Sequence, residues 1–237
     1  MLYNEYWKGR DDMKLHYFGH SAFQLNGKNF KILIDPFLRE NPLCKTDPTD
    51  LSGVTHILVT HGHGDHIGDA VEIAKSNDAA IVCNFELASF FSEMNVKTHA
   101  MHLGGAHEFP FGKIKMTMAA HGSGINTDKG IICGGNPCGF LVETCGLKIY
   151  HAGDTGLIWD MKLLEEENID YALLPIGGNF TMDVSDAVRS IDFIKPKISI
   201  PMHYNTFPVI EASPELFKQS AKNSRVIIIK PNTAIDI

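Results

Sequence analysis

Short apolar segments separated by turn-forming residues dominate the first part of the chain. KLHYF (14–18), AFQLN (22–26) and FKILID (30–35) come first, and HILVT (56–60) and AAIVC (79–83) follow. Apolar runs of about four to eight residues bounded by turn signals are typical of β-strands. We therefore predict that the chain opens with a β-rich block.

Helical spacing follows these strands. Apolar residues recur at i, i+3, i+4 and i+7 from Ile67 and again from Leu87, which is typical of an amphipathic helix. A longer pattern covers 184–194, where Asp183 is the expected N-cap and Pro196 lies just beyond the expected end. These patterns predict three helices that bury one face.

The second half of the chain repeats this arrangement. Its strand-like segments are KIKMTMAA, GFLVET, LKIYHA, YALLPI, ISIPM and RVIIIK. A short helix is expected around Asp160–Glu167, and another begins at Ser213 with Pro214 in the first helical position. The chain therefore contains two αβ units in succession.

Two such units predict an α+β fold in which the two sheets pack together with helices outside, a four-layer αββα sandwich. Since no linker rich in proline or serine separates the halves, roughly 1–120 and 121–237, we expect one domain over residues 1–237. The stretch His121–Cys138 has neither pattern, and a loop this long inside a compact domain is often functional.

Composition and charge narrow the function classes. Hydrophobic residues make up 44% of the 237 residues, the formal charge is −7, and no cluster of lysines and arginines is present. Long nucleic acids normally need a basic surface, so we exclude them as partners. Residues 1–12 lack an apolar signal core, and no run approaches the roughly 20 apolar residues of a spanning helix, which predicts a cytoplasmic protein without a membrane partner.

The five cysteines are an odd number, which favours reduced thiols over a disulfide framework. The segment CGGNPC, Cys133–Cys138, has a four-residue gap that matches neither redox nor zinc-knuckle spacing. We interpret it as a glycine-rich loop with two incidental thiols.

The strongest chemical signal is THGHGDHIGD, residues 60–69, directly after an apolar strand. Alternate residues of an extended chain point the same way, so His61 and His63 can face one point. Asp65 and His66 follow where the chain turns into a helix. Imidazole and carboxylate groups suit zinc, iron or manganese, and four such ligands at this spacing can bind two metal ions rather than one.

A two-metal site needs further ligands, and other strand ends offer them. His121 follows KIKMTMAA, Asp154 follows LKIYHAG, and His203 follows ISIPM. Loops at the ends of strands are where a scaffold commonly presents functional side chains.

In these motifs the chain resembles the metallo-β-lactamase superfamily. The matching pieces are LIDPF, THGHGDH, AAHGS, HAGDTG and PMHYNTFP, which have the family's order and extend over most of the chain. YFGHSAF and IGGNFTMDVSDA are similar to a small metal-dependent hydrolase branch related to L-ascorbate-6-phosphate lactonase. The resemblance implies an αββα sandwich with the metals at one edge between the sheets.

The resemblance also implies the ligands of two divalent ions, with zinc expected and manganese, iron or nickel as alternatives. Three histidines would hold the first ion, three residues the second, and one carboxylate would bridge them: His61, His63 and His121; Asp65, His66 and His203; and Asp154. Among other histidines, His102 and His107 compete with His121 as the isolated ligand. The remaining four are expected to be structural or at the surface: His16, His56, His99 and His151.

Five residues near these motifs are candidates for supporting roles. The resemblance implies that Asp35 orients a ligand. His20 either lines the pocket or is a packed, satisfied histidine. Tyr204, Asn205 and Asn179 either contact substrate or contribute to packing.

Two ions about 3.5–4 Å apart can activate a shared water, so the expected activity is hydrolysis of a small ester or lactone by a bridging hydroxide. Asp65 or Asp154 would accept the proton, and the leaving-group acid stays open between a metal-bound water, His20 and Tyr204. Alternatives are a phosphodiesterase for a small substrate, a di-iron redox protein and a non-catalytic metal-binding module. A small-molecule partner is expected, and a homo-oligomer stays open.

Overall fold

The computed structural model describes residues 13–237, so the expectation that residues 1–12 carry no signal segment lies outside the described part. A seven-stranded sheet forms the first half of the fold, in the order β16-β1-β2-β3-β4-β5-β6. Its strands are β1 (Lys14–Gly19), β2 (Ala22–Asn26), β3 (Lys31–Ile34), β4 (His56–Leu58), β5 (Ala80–Asn84), β6 (Lys97–Met101) and β16 (Thr233–Asp236).

A second seven-stranded sheet has the order β15-β14-β13-β12-β11-β8-β7. Its strands are β7 (Ala106–Phe109), β8 (Gly112–Met118), β11 (Cys138–Thr144), β12 (Leu147–His151), β13 (Tyr171–Pro175), β14 (Ile198–Met202) and β15 (Arg225–Val226). The hairpin of β9 (Gly124–Thr127) and β10 (Gly130–Cys133) forms a separate two-stranded sheet.

Helices cover the outer faces of both sheets. They are α1 (Gly64–Ile67), α2 (Ala70–Asn77), α3 (Phe85–Ser92), α4 (Val184–Ile194) and α5 (Pro214–Ser220), with 3₁₀ turns at Pro48–Asp50, Trp159–Glu167 and Pro208–Ile210. One apolar cluster joins α2 and α3 to the first sheet, and a larger one includes residues of both sheets, α4 and α5. The predicted four-layer αββα sandwich is confirmed.

Parallel pairing explains where functional loops meet. Strands β3, β4, β5 and β6 are parallel neighbours in the first sheet, and β12, β13, β14 and β15 are parallel neighbours in the second. The carboxyl ends of parallel strands lie at the same edge of a sheet. The segments that follow β3, β4, β12 and β14 can therefore converge at one edge of the sandwich.

Several local predictions are confirmed. β2 and β14 coincide with the predicted segments, and α4 begins at the Asp183 cap, whose carboxylate accepts a hydrogen bond from the Asp186 backbone N–H. The Ser213 cap and the proline in the first turn of α5 are also as predicted. Short side-chain caps of this kind satisfy the free N–H groups of a first turn, which is why they are readable from sequence.

The division into halves differs from the prediction. β7 and β8 already belong to the second sheet, and β16 returns from the chain's end to pair with β1 in the first. The sheets therefore separate between β6 and β7 rather than at residue 120. The predicted final strand RVIIIK is reduced to Arg225–Val226.

The predicted loop His121–Cys138 contains the β9–β10 hairpin, which pairs only with itself among the described strands. Ile131 and Ile132 of β10 are exposed, and β10 has no buried residue, so this strand lacks the alternation of buried and exposed positions that a sequence pattern can show. Cys133 is exposed at its end, while Cys138 is buried at the start of β11. Within residues 13–237, no helix has both the length and the apolar character needed to cross a membrane.

The helix predicted from Ile67 is two helices with a break at Gly68. Gly68 has φ 43° and ψ −123°, and a Cβ there would lie 2.4 Å from the Pro36 carbonyl oxygen. The next residue, Asp69, accepts hydrogen bonds from the backbone N–H groups of Leu38 and Arg39 at 3.0 and 2.9 Å. The break at Gly68 therefore leaves room for the segment after β3 to cross directly over the chain at this position.

Replacing Gly68 by alanine should lower the free energy of unfolding by about 3 kcal/mol or more, since backbone strain and a steric clash add. Gly104→Ala is the matched control, because Gly104 also has a positive φ (80°) but has no atom within 4 Å of its added Cβ. That control should lose only about 1–2 kcal/mol. Equal losses in urea denaturation of the two variants would contradict the close approach at Gly68.

Candidate metal centre

Asp35, at the end of β3, organises the loop that carries the histidines. Its carboxylate is fully buried and accepts three hydrogen bonds, from the Thr60 backbone N–H (2.8 Å), the Thr60 hydroxyl (2.7 Å) and Nδ1 of His66 (2.8 Å). An ionised carboxylate only accepts, so His66 carries its proton on Nδ1. The Nε2 lone pair of His66 is therefore free.

Thr60 also fixes the orientation of His61. Because the Thr60 hydroxyl donates to Asp35, its oxygen accepts from Nδ1 of His61 at 3.0 Å. Nε2 of His61 then carries no proton and offers its lone pair on the side of His63. Burial holds the pKa of His61 well below its usual value, which favours the neutral imidazole that binds metals. One carboxylate thus fixes the orientation of two histidines.

The first group of donors consists of His61, His63 and His121, each offering one ligand atom within 4.8 Å of the others. Nε2 of His61 lies 3.0 Å from Nδ1 of His63. The ring of His121 is nearly perpendicular to both, with centroids 5.0 Å away in each case. This arrangement suits three nitrogens that converge on one cation.

The second group consists of His20, Asp65, His66 and His203, with ligand atoms also within 4.8 Å of one another. Nε2 of His66 and Nε2 of His203 each lie 3.9 Å from Oδ2 of Asp65. The segments after β4 and β14 therefore meet here, together with the turn between β1 and β2 that carries His20.

Asp154 lies between the two groups. Its Oδ1 is 3.2 Å from Nε2 of His66, and its Oδ2 is 3.0 Å from Nε2 of His203 and 3.5 Å from Nε2 of His121. Burial opposes ionisation of Asp154, but His203 and His66 hold its pKa well below the usual range. An ionised, buried carboxylate at this position is able to join two cation sites.

Within residues 13–237, several buried polar atoms at this centre have no hydrogen-bond partner, and this tests whether a metal fits. They are Nε2 of His66, Oδ1 of Asp154 and both ring nitrogens of His203. His66 and Asp154 approach each other closely, but without the alignment of a hydrogen bond. Unpartnered buried polar atoms are rare in native proteins, and nitrogen and carboxylate donors are the ligands of zinc, iron and manganese. The donor set fits divalent metal ions.

The charges around His66 also favour a bound cation. Burial lowers the pKa of His66, but the carboxylates of Asp154 and Asp35 outweigh it and raise that pKa well above its usual value. Both carboxylates thus favour a positive charge next to His66. A divalent cation beside its Nε2 would supply that charge without a proton.

All seven predicted ligands are brought together, and neither competitor of His121 is. His102 stacks on Phe85, and His107 lies beside His99, outside the donor groups found among residues 13–237. His151 is structural, because Nε2 donates to the Ser21 carbonyl and Nδ1 accepts from the Gly153 N–H.

The five supporting candidates divide into two sets. Asp35 and His20 lie at the centre, whereas Tyr204 is buried in the large apolar cluster and Asn179 is exposed. Asn205 closes its own loop, because its side chain accepts from the Ala212 N–H at 2.9 Å. Sequence reasoning missed Thr60 and Thr206, although both stand inside quoted motifs beside a ligand.

Replacing Asp35 by asparagine should weaken metal binding about 10–100-fold, as is typical when the partner of a metal-bound histidine is lost. The amide has only one acceptor oxygen for the donors of Thr60 and His66. Competition with a chromogenic chelator measures the affinity. Asp170→Asn is the control, since Asp170 accepts from the Lys148 N–H and the Lys197 amine instead, and it should bind metal normally. Wild-type affinity in a folded Asp35 variant would contradict this role.

Comparisons with known proteins agree with the geometry. A family described as the beta-lactamase superfamily domain matches residues 14–203. A UPF0173 metal-dependent hydrolase of Alkaliphilus metalliredigens is 54% identical over 92% of this chain and 96% of its own. Another, of Natranaerobius thermophilus, is 47% identical over 95% of this chain and 100% of its own.

Among solved structures, Igni18 of Ignicoccus hospitalis, described as a novel metallo hydrolase, superposes with a TM-score of 0.85 at 34% identity. The match covers 95% of this chain and 98% of Igni18. The protein therefore belongs to the metallo-β-lactamase superfamily and, within it, to the UPF0173 family of metal-dependent hydrolases.

Proposed function

We propose that this metal-dependent hydrolase uses two divalent ions, most favourably zinc, to cleave a small ester or lactone. The observation that carries the proposal is the position of Asp154 between two groups of donors. His61, His63 and His121 would hold one ion, and Asp65, His66 and His203 the other. Asp154 has an oxygen near members of both groups, as a bridging ligand requires.

When bound, the ions would supply Lewis-acid activation of water and of the substrate oxygen that becomes negative. The chain's own contribution is orientation, since Asp35 and Thr60 hold His61 and His66 with their lone pairs inward. Preorganised ligands avoid the cost of reorientation during the reaction.

The two carboxylates of the centre differ in access to solvent. The side chain of Asp65 is 31% exposed, whereas that of Asp154 is 3% exposed. Asp65 is thus placed to accept a proton from water through Oδ1, because Oδ2 accepts a hydrogen bond from His20. Asp154, enclosed by histidines, serves as a fixed ligand.

A cavity beside the ligand loop has room for a small substrate group, although none of the seven proposed ligands lines it. It has a volume of about 390 Å³, which lies within the usual range for small-ligand sites. Its walls combine the ligand loop at Gly62 and Gly64 with mainly apolar side chains: Phe37, Ile67, Val71, Phe90, Phe91, Met94 and Ile125.

The charged residues at this cavity favour an uncharged substrate group. Arg39 is the one lysine or arginine that lines the cavity among the described residues 13–237, and its guanidinium is paired with both carboxylate oxygens of Glu72 at 2.6 and 2.9 Å. Asp69 and Glu40 also line the cavity. A phosphorylated group would meet carboxylates without a free cation, so we favour ester or lactone chemistry over phosphodiester hydrolysis. The likeness of YFGHSAF and IGGNFTMDVSDA to the lactonase-related branch also supports a lactone substrate.

Replacing His61 or Asp154 by alanine should reduce metal content and lower turnover by orders of magnitude, because each removes a donor that no neighbour replaces. His107→Ala is the matched control, since His107 is exposed and outside both donor groups. Metal analysis and kinetics on the same preparations provide the two readouts. Full activity in either site variant would refute this centre.

The substrate class is tested with lactones, nitrophenyl acyl esters and bis-nitrophenyl phosphate, each assayed with zinc, manganese and nickel. We expect kcat/KM to be highest for an uncharged ester or lactone. A preference for the phosphodiester would replace the proposal with a phosphodiesterase. Visible absorption from a native di-iron site, with no hydrolysis, would favour a redox protein.

A further inference from the structure

We propose that His20 is a positioning residue that holds Asp65 and His203 in the second metal subsite, and that it is neither a metal ligand nor the acid for the leaving group. This inference rests on the two-ion site of the proposed function. The observation behind this inference is that His20 contacts both segments that carry ligands of this subsite. One segment carries Asp65 and His66, and the other carries His203.

His20 occupies a constrained position. Its side chain is fully buried, and its backbone has φ 58°, a value uncommon for a residue other than glycine. Such conformations persist where surrounding structure enforces them, and they are concentrated at functional sites. The Tyr17 hydroxyl donates to the His20 carbonyl at 3.1 Å, which contributes to holding this turn.

The backbone of His20 fixes the first of the two segments. Its carbonyl oxygen accepts a hydrogen bond from the His203 N–H at 2.7 Å. His203 also has a positive φ, 54°, and its ring lies against that of His20 with centroids 4.0 Å apart. His203 is the first residue after β14. Its contacts with His20 therefore fix its backbone position and cover one face of its ring.

The imidazole of His20 fixes the second segment. Nδ1 lies 2.9 Å from the Thr206 hydroxyl, and Nε2 lies 3.0 Å from Oδ2 of Asp65. An ionised carboxylate accepts, so Nε2 donates to Asp65. Oδ2 is also the Asp65 oxygen that lies 3.9 Å from Nε2 of His66 and of His203, so this bond orients the oxygen that faces the ion site.

Thr206 selects this tautomer. Its hydroxyl has two acceptors within reach, Nδ1 of His20 at 2.9 Å and the Tyr204 carbonyl at 3.5 Å, and the shorter bond is much the better one. When the hydroxyl donates to Nδ1, the ring proton must be on Nε2. A nitrogen that carries a proton cannot bind a metal, although the distances alone include His20 in the second donor group.

The same contacts exclude His20 as the acid for a leaving group. Both ring nitrogens are engaged, and the aromatic rings of Phe37 and Phe207 approach the imidazole edge at centroid distances of 5.6 and 5.7 Å. No ring nitrogen is directed at solvent or at a substrate.

Thr206→Val tests whether the Thr206 hydroxyl selects the tautomer of His20, because valine has the shape of threonine without the hydroxyl. Zinc titration of the full chain should show two sites in the wild type and about 10–100-fold weaker binding at one of them in the variant. Thr206→Ser retains the hydroxyl and should restore the second site. Two sites of wild-type affinity in Thr206→Val would overturn the inference. A wild-type protein that binds fewer than two ions would instead refute the proposed function.

Nuclear magnetic resonance separates a positioning residue from a ligand. In ¹⁵N-labelled protein loaded with ¹¹³Cd, ring nitrogens bonded to cadmium show ¹¹³Cd–¹⁵N coupling. We expect coupling at His66 and His203, and for His20 an Nε2–H tautomer without coupling. Coupling at Nε2 of His20, or the Nδ1–H tautomer, would overturn the inference.

A second substitution checks the contact with Asp65. His20→Gln keeps an N–H donor near the position of Nε2, whereas His20→Ala removes it. The glutamine variant should bind the second zinc ion more tightly than the alanine variant, with thermal unfolding confirming that both are folded. Equal affinities in two folded variants would contradict the role of the hydrogen bond.

Discussion

The fold of this protein is constrained by one buried carboxylate that must be neutralised. His203 and His66 hold the pKa of Asp154 well below its usual range, and its side chain is almost inaccessible to solvent. Among residues 13–237, Nε2 of His66 and Nε2 of His203 find no hydrogen-bond partner. Burying such groups without compensation is strongly unfavourable. Divalent cations at these atoms would supply that compensation, which would couple metal binding to folding. The ordered hydrogen bonds from Asp35 through Thr60 to His61 prepare the site for that charge.

The architecture explains how distant parts of the chain reach one point. Asp35 and His61 follow the parallel neighbours β3 and β4, so pairing brings these two ends to one edge of the first sheet. His203 directly follows β14 of the second sheet, and the packing of the two sheets places it beside them. This is why short apolar runs predict the four layers and why the polar residues that end them are candidate ligands. The assignment of those candidates to two ions comes from the resemblance to the metallo-β-lactamase superfamily. His61, His63, Asp65 and His66 are close in sequence. Their relative positions therefore depend mainly on local backbone geometry, which their spacing indicates.

The features that sequence could not predict depend on tertiary contacts. The break at Gly68 requires the approach of Pro36, and the return of β16 requires an exposed edge of β1. Tyr204 and His203 are neighbours in sequence, yet one enters the apolar cluster and the other the metal centre, because a positive φ at His203 turns the chain between them. Periodicity is insensitive to such single-residue turns, and hydrogen bonds such as that between Thr206 and His20 leave no pattern at all.

The central claim is that two cations occupy the centre on either side of Asp154. Crystals of the purified, unsupplemented protein, measured above and below the absorption edges of zinc, manganese, iron and nickel, test it most directly. We predict two anomalous peaks about 3.5–4 Å apart, one among His61, His63 and His121 and one among Asp65, His66 and His203. A fully active protein whose crystals show no anomalous peak at these residues would contradict the account.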